Sequence, residues 1–502
     1  MIVEDKEAED SWTPKSYPIP KHWLYTELEV AFENIPLTGK KLAQKNYEVQ
    51  GDFPVVDQGA SEVGGYSNDK NKLINIERPV IVFGDHTKCL KYINFSFIPG
   101  ADGVKVLMPR SPIDPKYAFY ACRSLQLPDR GYSRHYSFLK KCNFPLAPLN
   151  EQKRIVAKLE ELFSELDKGT EALKTAREQL KVYRHSLLKH AFEGKLTTKW
   201  REENKDKLES PEIRLDRIKH ERETRYNQQI KIWQAAVKKW EGLGGLDKKP
   251  TKPRKPEQPL APNSDYLSKM WELPESWAWS QIGKFSFVTK LAGFEYTKFV
   301  TYDVMGDLPV LKAENAGIAG FKVTEFSRVH SSSVISLTRS FLNGGELLMV
   351  FVGAGTGNVA MVPLNQQYFL GPNVGMIRLE TKLINPRFLE LFLRSPKGKD
   401  LVLSASKAVA QPSLSMGTIR QTPVAIPSLL EQNEIVMVLE DQIPLIEKEE
   451  ADIDKTLLMA SNLRQSILKK AFSGQLVPQV PDDEPAEKLL ERIISQKNKA
   501  RA

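Results

Sequence analysis

Two long segments of the chain carry apolar residues at alternating spacings of three and four positions, with charged residues between them. This spacing places the apolar side chains along one side of an α-helix, where a second helix has to cover them. Each segment therefore predicts a long helix, and at about 1.5 Å per residue the stretch 151–189 would be roughly 58 Å long. The predicted seam comprises Ile155, Leu159, Leu162, Leu166, Leu173, Leu180 and Leu187 in the first helix and Ile435, Leu439, Ile446, Ile453, Leu463 and Ile467 in the second.

The two segments are copies of each other. Residues 151–156 (EQKRIV) return as residues 431–436 (EQNEIV), and the glycines that should end the helices, Gly194 and Gly474, follow matching Ala-Phe pairs. One such helix would be interpreted as part of a bundle core, whereas two matched helices favour pairing with each other. Pro444 departs from this pattern, because an interior proline kinks or breaks a helix, and it predicts a bend or a late helix start.

The regions before the two helices also correspond. Residues 53–56 resemble residues 308–311, and the apolar run 79–83 resembles the run 347–351. Each half therefore predicts a mixed strand-and-helix globule of about 150 residues followed by a long helix, an α+β fold. The predicted organisation is a first globule at 1–148, its helix at 149–196, a charged insertion at 197–263, a second globule at 264–428, its helix at 429–477 and a tail at 478–502 that contains a short helix.

The charged insertion has two parts. Its first part predicts a helix near residues 212–240, with Ile230, Trp233, Val237 and Trp240 on one stripe. Its second part, residues 248–256, is a run of lysine, arginine and proline that predicts an extended, solvated linker. Binding of this basic run to a DNA backbone is the less favoured alternative.

Composition narrows the possible partners and the compartment. The chain has 72 Lys and Arg residues against 63 Asp and Glu, a formal net charge of +9, which favours a polyanionic partner such as DNA. Its 3 cysteines form no C-x-x-C pair, which argues against a disulfide framework or a zinc ribbon and favours a reducing compartment. We see neither a signal-peptide pattern nor an apolar run of about 18 residues, and we therefore expect a cytoplasmic protein without a membrane partner.

Sequence-specific reading of DNA needs side chains with donor and acceptor groups at base edges and cations at phosphates. Polar residues in loops between apolar strands are the natural carriers, although each of them could equally be a solvated surface residue. The candidate DNA-binding residues are Gln58, Tyr66, Lys70, Lys72, His86, Lys88, Arg130, Arg134 and His135 in the first globule, and Lys312, Glu314, Asn315, Lys407, Gln411, Ser413 and Arg420 in the second.

Residues 351–358 (FVGAGTGN) form the motif that most resembles a catalytic one. A glycine-rich turn can hold a cofactor when a helix follows, but the residues that follow here predict a strand, so a strand–turn–strand corner is favoured. The chain contains no N-P-P-F or D-P-P-Y segment for a flipped adenine, no phosphate loop and no H-E-x-x-H zinc motif. We therefore expect no catalytic residue, no metal ligand and no bound cofactor.

Three segments resemble the specificity subunit of Type I restriction-modification systems. They are residues 144–152 (FPLAPLNEQ), 194–201 (GKLTTKWR) and 425–432 (AIPSLLEQ), and the resemblance extends over nearly the whole chain and its duplicated order. It implies two target recognition domains that each read half of a split DNA sequence, separated by a long antiparallel coiled coil that sets their distance. It also implies two methyltransferase subunits and additional restriction subunits as partners, with S-adenosylmethionine, ATP and Mg²⁺ on those partners and adenine N6 as the usual methylation site.

Two other functions remain open at this point. The chain could be an atypical S-adenosylmethionine-dependent DNA methyltransferase that uses the loop 353–357. Alternatively, it could be a coiled-coil architectural protein that binds DNA without sequence preference. Binding of S-adenosylmethionine would distinguish the first alternative, and competition between random and target DNA at a stated salt concentration would distinguish the second.

Overall fold

The structure is a computed structural model that describes residues 12–100, 103–131, 133–244, 249–256, 258–259, 262, 264–404 and 413–499. The chain forms two compact units. Unit 1 comprises Met1–Ala176 and Asp452–Ala502, and unit 2 comprises Arg177–Ala451. Among the described residues, no helix combines the length and the apolar character that crossing a membrane requires.

Unit 1 contains a globule, here called head 1, followed by a long helix that continues into unit 2. The strands are β1 (Leu24–Glu27), β2 (Phe32–Asn34), β3 (Phe53–Val56), β4 (Gly65–Ser67), β5 (Val80–Gly84), β6 (Leu90–Ile93), β7 (Ile98–Pro99), β8 (Val104–Pro109) and β9 (Asn143–Leu146). The helices are α1 (Leu28–Ala31), α2 (Pro115–Ser124), α3 (Tyr136–Lys141) and the long helix α4 (Leu149–Phe192).

Unit 2 contains a second globule, head 2, and the start of the second long helix. Its helices are α5 (Thr198–Glu203), α6 (Pro211–Gly242), α7 (Ser264–Leu267), α8 (Ile282–Phe285), α9 (Gly293–Phe299), α10 (Ser331–Val334), α11 (Pro386–Arg394), α12 (Pro396–Ser404), α13 (Met416–Gln421) and the long helix α14 (Leu429–Phe472), and α15 (Ala486–Lys499) returns to unit 1. Its strands are β10 (Ala278–Gln281), β11 (Ser286–Lys290), β12 (Leu308–Leu311), β13 (Ala316–Gly317), β14 (Gly320–Phe321), β15 (Arg328–Val329), β16 (Phe341–Leu342), β17 (Leu347–Val350), β18 (Val359–Met361), β19 (Tyr368–Leu370), β20 (Val374–Leu379) and β21 (Pro423–Ile426).

The two heads share one scaffold. The main sheet of head 1 has the strand order β2-β8-β5-β6, and that of head 2 has the matching order β11-β20-β17-β18. In the second sheet, β3 lies antiparallel to β4 and parallel to β7, just as β12 lies antiparallel to β15 and parallel to β19. The mixed α+β class predicted from the sequence is confirmed, with the same topology built twice.

The central strand of each main sheet is buried on both faces. In β5, Ile81 and Phe83 pack into the core that includes the start of α4, whereas Val80 and Val82 pack into the core between the two sheets. This alternation follows from the two-residue period of a strand. Strand β17 divides its side chains between two cores in the same way, and for this reason both strands are continuous apolar runs in the sequence.

The long helices pair in opposite directions within each unit. Unit 1 holds the beginning of α4 and the end of α14, and there the Arg464 guanidinium donates to Asp167 and lies 4.6 Å from the centre of the Phe163 ring. Unit 2 holds the end of α4 and the beginning of α14, and there Arg184 donates to Glu447 over 2.8 Å. The predicted antiparallel pairing is thus present in both units.

Burial along the two helices is greatest where they meet a head. Seam residues near the helix starts are fully buried, and those in the middle are half-buried. Leu463 is 51% exposed, and its assignment to the seam is therefore wrong, whereas Phe163, which the spacing argument left out, is buried. The fully or nearly fully buried seam residues are Ile155, Leu159, Leu187, Ile435, Leu439 and Ile446, and the half-buried ones are Leu162, Leu166, Leu173, Leu180, Ile453 and Ile467.

Helix α14 is continuous through Pro444. The helix begins at Leu429, so the expectation of a late start after the proline is wrong. Pro444 is exposed, while Ile446 beyond it is buried against the head 2 core. Packing on both sides of the proline therefore holds a helix that local preference alone would interrupt.

A buried glutamate fixes the start of α4 to head 1. The Glu151 carboxylate has no exposed surface and accepts a hydrogen bond from Trp23 Nε1 over 2.9 Å. The next residue, Gln152, accepts from the backbone N–H of Asp114 over 3.0 Å, just before α2 begins. The repeated Glu-Gln pair of the sequence thus joins the first strand region, α2 and the long helix at one point.

The same arrangement fixes the start of α14 to head 2. Glu431 is buried and accepts from Trp277 Nε1 over 3.0 Å, while Gln432 accepts from the backbone N–H of Asn385 over 2.8 Å. Here the glutamate also has a cationic partner, because Arg201 Nη1 donates to it over 2.5 Å.

The repeat extends beyond the long helices. Residues 209–218 (ESPEIRLDRI) and 484–493 (EPAEKLLERI) share five of ten residues and begin α6 and α15. Ile218 and Ile493 are both buried, each against its own head. The start of the supposed insertion is therefore part of the repeat, and the tail helix is its counterpart. Each stretch also contains the same ion pair, in which a glutamate just before the helix pairs with an arginine inside it: Glu209–Arg217 at α6 and Glu484–Arg492 at α15.

Candidate nucleic-acid interface

In head 1, the loop after β3 and the turn between β5 and β6 lie against each other. The Gln58 side-chain carbonyl accepts from the backbone N–H of His86 over 3.3 Å, and the Thr87 hydroxyl donates to the Gln58 backbone carbonyl over 2.7 Å. Gly103 makes this approach possible, because it has a φ of 92° and a Cβ there would lie 2.8 Å from Gln58 Oε1. Gln58 and His86, chosen separately from the sequence, therefore form one surface.

Asp85 attaches a third segment to this surface. Its carboxylate accepts from the backbone N–H groups of His135 and Tyr136, over 2.9 and 2.7 Å, where α3 begins. The His135 ring has no exposed surface, and its Nδ1 lies 3.1 Å from the Asp85 carbonyl oxygen. His135 thus has a structural position in which it cannot reach a base edge, and Asp85 holds the start of α3 against the β5–β6 turn.

Three cations border the same surface. Lys88, which has a φ of 58°, donates to Asp129 over 2.9 Å, and this hydrogen bond lowers the pKa of the Asp129 carboxyl. The Arg130 guanidinium lies 5.2 Å from the Phe138 ring centre, and Arg134 is exposed. This arrangement suits DNA, because the cations can contact phosphates while the polar loop groups contact the base edges beside them. We refer to Gln58, His86, Lys88, Arg130 and Arg134 as the head 1 cluster.

The other candidates of head 1 lie elsewhere on it. Tyr66 belongs to β4 and pairs with Pro54 of β3. Lys70 and Lys72 occupy the turn after β4, and Lys72 Nζ donates to the Lys41 carbonyl over 3.1 Å. Lys72 lines a groove together with Lys41 and Lys105, which makes a second basic surface on this head.

In head 2, the candidates Lys312, Glu314 and Asn315 follow β12, the equivalent of the loop after β3. Lys312 Nζ donates to the Ser327 hydroxyl over 2.6 Å, and Glu314 is exposed. Asn315 is only 1% exposed and donates to the Thr324 hydroxyl over 2.8 Å, so it shapes this loop and does not face solvent.

The glycine-rich loop of head 2 connects two antiparallel strands. Strands β17 and β18 pair on either side of it, so the predicted strand–turn–strand corner is confirmed. In the shared topology this loop occupies the position of the β5–β6 turn that carries His86. It is therefore the loop of head 2 that corresponds to the candidate surface of head 1, and the correspondence between the runs 79–83 and 347–351 could have located it from the sequence.

Residues around this loop complete a second candidate surface. Exposed Ser413 bridges to Val352, and Lys290 Nζ lies 4.7 Å from the Phe351 ring centre. Lys399 Nζ donates to the Asn358 side-chain oxygen over 3.0 Å. Sequence reasoning missed Lys290 and Lys399 because only the fold brings them to the loop, and it considered Asn358 only as the end of the glycine-rich segment.

The last three candidates of head 2 are Arg420, Lys407 and Gln411. Arg420 is half-buried in α13 and donates to the Val288 carbonyl over 2.9 Å, so part of its guanidinium supports the sheet. Lys407 and Gln411 lie outside the described residues.

Comparisons with known proteins agree with this architecture. The sequence profile of the Type I restriction modification DNA specificity domain matches residues 22–175 and 275–457, that is, both heads and much of both long helices. The chain belongs to this family of DNA specificity proteins.

Its relatives include specificity subunits of Type I restriction enzymes, and the chain spans less than two thirds of the length of the relatives that follow. The chain is 24% identical over 358 residues to the Type I restriction enzyme EcoBI specificity subunit of Escherichia coli, an alignment that covers 71% of this chain and 62% of that protein. It is 34% identical over 211 residues to the StySPI specificity subunit of Salmonella potsdam, covering 41% and 44% of the two chains. A solved chain from a study of complex assembly and conformational transition in the type I R-M system has the same fold, with a TM-score of 0.55, 15% identity and coverage of 92% of this chain and 100% of that one.

Proposed function

We propose that this chain is the DNA-reading subunit of a Type I restriction-modification complex and that each head reads one half of a bipartite target. The observation that carries this proposal is a single scaffold built twice with different residues in equivalent loops. Gln58 follows β3 where Lys312 follows β12, and the β5–β6 turn with His86 corresponds to a glycine-rich loop. Two such heads on one duplex would recognise two different half-sites, most readily from the major groove, where all four base pairs are distinguishable.

In this proposal the paired helices α4 and α14 set the distance between the half-sites. Tethering two heads makes the second contact effectively intramolecular, so specificity multiplies over both half-sites. Two methyltransferase subunits would dock on the helices and the adjoining parts of the heads, and restriction subunits would join them. The chain would direct methylation, most often at adenine N6, and restriction without itself carrying out either reaction.

The chemistry would reside on those partners together with S-adenosylmethionine, ATP and Mg²⁺. The glycine-rich loop supports this division, because it lies between antiparallel strands and lacks the following helix whose N-terminus would hold a cofactor. We also propose that the protein acts in the cytoplasm. Cys89, Cys122 and Cys142 are free thiols, which agrees with a reducing compartment. Tight binding of S-adenosylmethionine to the full chain alone would instead favour the methyltransferase alternative.

Methylome sequencing tests the proposal directly. Cells that carry the chain together with its methyltransferase should show one methylated motif with two specified halves and an unspecified spacer. Replacing Arg134 with Ala should relax the preference within one half only. Lys158→Ala, which removes a cation paired with Glu161 on α4 and outside the heads, serves as the control and should leave the sequence of the methylated motif unchanged. An undivided motif, or equal weakening on every sequence, would contradict the assignment of head 1 as a reader.

A further inference from the structure

The helix α6 extends past its contact with head 2 and forms a hairpin with the proline-rich segment that follows. Trp233 Nε1 donates to the Pro250 carbonyl over 3.0 Å, and Lys249 Nζ lies 5.5 Å from the Trp240 ring centre. Nearer the head, Pro256 lines the same groove as Arg222. The segment predicted to be a solvated linker therefore runs back along the helix, and we refer to residues 224–244 and 249–256 as the basic hairpin.

The prolines form the inner side of this hairpin. Pro250, Pro253 and Pro256 are spaced by three and are half-buried, and every residue between them is exposed. A polyproline II helix has three residues per turn, so this spacing places the three prolines on one side. On α6, half-buried residues recur every three or four positions and include Tyr226, Ile230, Trp233, Val237 and Trp240. The half-buried prolines and the half-buried stripe of α6 meet where Trp233 contacts Pro250.

The exposed side chains of the hairpin are mostly basic. Within residues 224–244 and 249–256 there are eight cations and one acid, Glu241, which is a net charge of +7 out of the +9 of the whole chain. All eight cations are exposed. They are Arg225, Lys231, Lys238, Lys239, Lys249, Lys252, Arg254 and Lys255.

These cations differ from those on the long helix. On α4, lysines such as Lys168 and Lys181 pair with a glutamate three positions earlier. Among the residues that the structure describes, none of these eight cations forms an ion pair with an acidic side chain. Concentrated positive charge without local compensation attracts a polyanion, and neutralising phosphates releases the counterions condensed on DNA.

We propose that the basic hairpin binds the phosphate backbone of the DNA duplex, as a sequence-independent contact in addition to the two heads. The construction of the hairpin favours such binding. A proline-rich segment that packs on a helix is already extended, so its backbone has little conformational entropy to lose when its cations bind phosphates. The hairpin would add affinity on any sequence and leave the choice of sequence to the heads. This inference rests on the proposed function only in that DNA is the partner.

The test measures how the affinity of the full chain depends on salt, with random and target duplexes. The variant K249Q/K252Q/R254Q/K255Q removes four charges from the hairpin, and the control K158Q/K168Q/K174Q/K181Q removes four charges from α4, each of them paired with a glutamate three positions away. Each phosphate contact contributes about 0.9 to the slope of log affinity against log salt concentration. The hairpin variant should flatten this slope by up to about 3.6, equally on both duplexes, and the control should leave it near the wild-type value.

A second variant separates charge from folding. K249R/K252R/K255R keeps every charge and should keep the wild-type slope. An unchanged slope in the glutamine variant, or an equal change in the α4 control, would overturn the inference. So would a defect that appears only when partner subunits are present, because an acidic protein surface would then be the partner. Failure of the wild-type chain to prefer its target would count against the proposed function and leave the slope comparison intact.

Discussion

Glu151 and Glu431 occupy equivalent buried positions at the starts of the two long helices, yet they differ in the charge of their partners. Around Glu151 the partners are the neutral Trp23 indole, the Gln479 amide and the His22 ring, whose Nε2 lies 3.1 Å away and carries charge only when the ring is protonated. Glu431 instead receives a hydrogen bond from the charged Arg201, whose side chain is 14% exposed. Breaking a buried ion pair by removing one partner is costly, because the remaining charge lies in a region that water does not reach.

Glu431→Gln should therefore destabilise unit 2 by about 3 kcal/mol. Glu151→Gln should destabilise unit 1 by about 1 kcal/mol, because the amide can still accept the hydrogen bond from the Trp23 indole. Urea denaturation followed by hydrogen exchange of peptides from each head would measure both effects. Equal losses in the two variants would show that the charge of Arg201 does not contribute to the difference.

At the scale of single elements, Pro444 is the clearest local conflict. The equivalent position in α4 is Ser164, and both positions are exposed inside a continuous helix. An interior proline costs about 3 kcal/mol relative to alanine, through a lost hydrogen bond and a clash with the preceding turn.

Pro444→Ala should stabilise unit 2 by about 1 to 3 kcal/mol, and the reverse change, Ser164→Pro, should destabilise unit 1 by about 3 kcal/mol. Hydrogen exchange of the helical peptides around each position would report both changes. A loss of stability in Pro444→Ala would mean that packing at Ile443 and Ile446 depends on a bend that the proline produces.

Elements with a regular spacing of apolar residues could be predicted from the sequence. Elements that depend on contacts with distant segments could not. The two long helices and the two similar globules could be predicted from residue spacing and internal repetition. A helix seam and a buried strand each require apolar residues at a fixed spacing, and this spacing is kept when the other residues of the two copies differ. Predicting the hairpin would have required combining two patterns, the prolines at every third position and the apolar stripe of α6 that includes Trp233. Neither pattern alone predicts that the two segments are in contact. The repeat at 209–218 and 484–493 was hidden because the segments before it differ in length.

The candidate site shows the same limit more strongly. Gln58 and His86 could be chosen from loop position, but their contact depends on how β3 and β5 pack. His135 and Asn315 are polar residues in loops, the type that usually faces solvent, yet both are buried because their side chains hold the backbone of neighbouring segments. Sequence alone does not distinguish a loop residue that reads a partner from one that shapes the loop.

For the molecule as a whole, the proposed spacing role of α4 and α14 can be tested by shortening both helices together. In unit 1, Asp167 lies opposite Arg464, so residues 170–176 of α4 lie opposite residues 455–461 of α14. Deleting both stretches removes one heptad from each helix, preserves the side on which the seam lies and shortens the pair by about 10 Å. That length corresponds to about three base pairs of duplex at 3.4 Å per step.

The doubly shortened chain should prefer the same two half-sites with a spacer about three base pairs shorter, which we would measure by binding to duplexes that differ only in spacer length. The same deletion in α4 alone should lose affinity at every spacer, because it removes one side of the seam and misaligns the remaining pairs. The change in spacer also rotates one half-site by roughly a third of a helical turn, since a turn takes about 10.5 base pairs. The doubly shortened chain should therefore bind its best duplex more weakly than wild type binds its own. A preference that stays at the original spacer would show that the helices hold the heads without setting their separation on DNA.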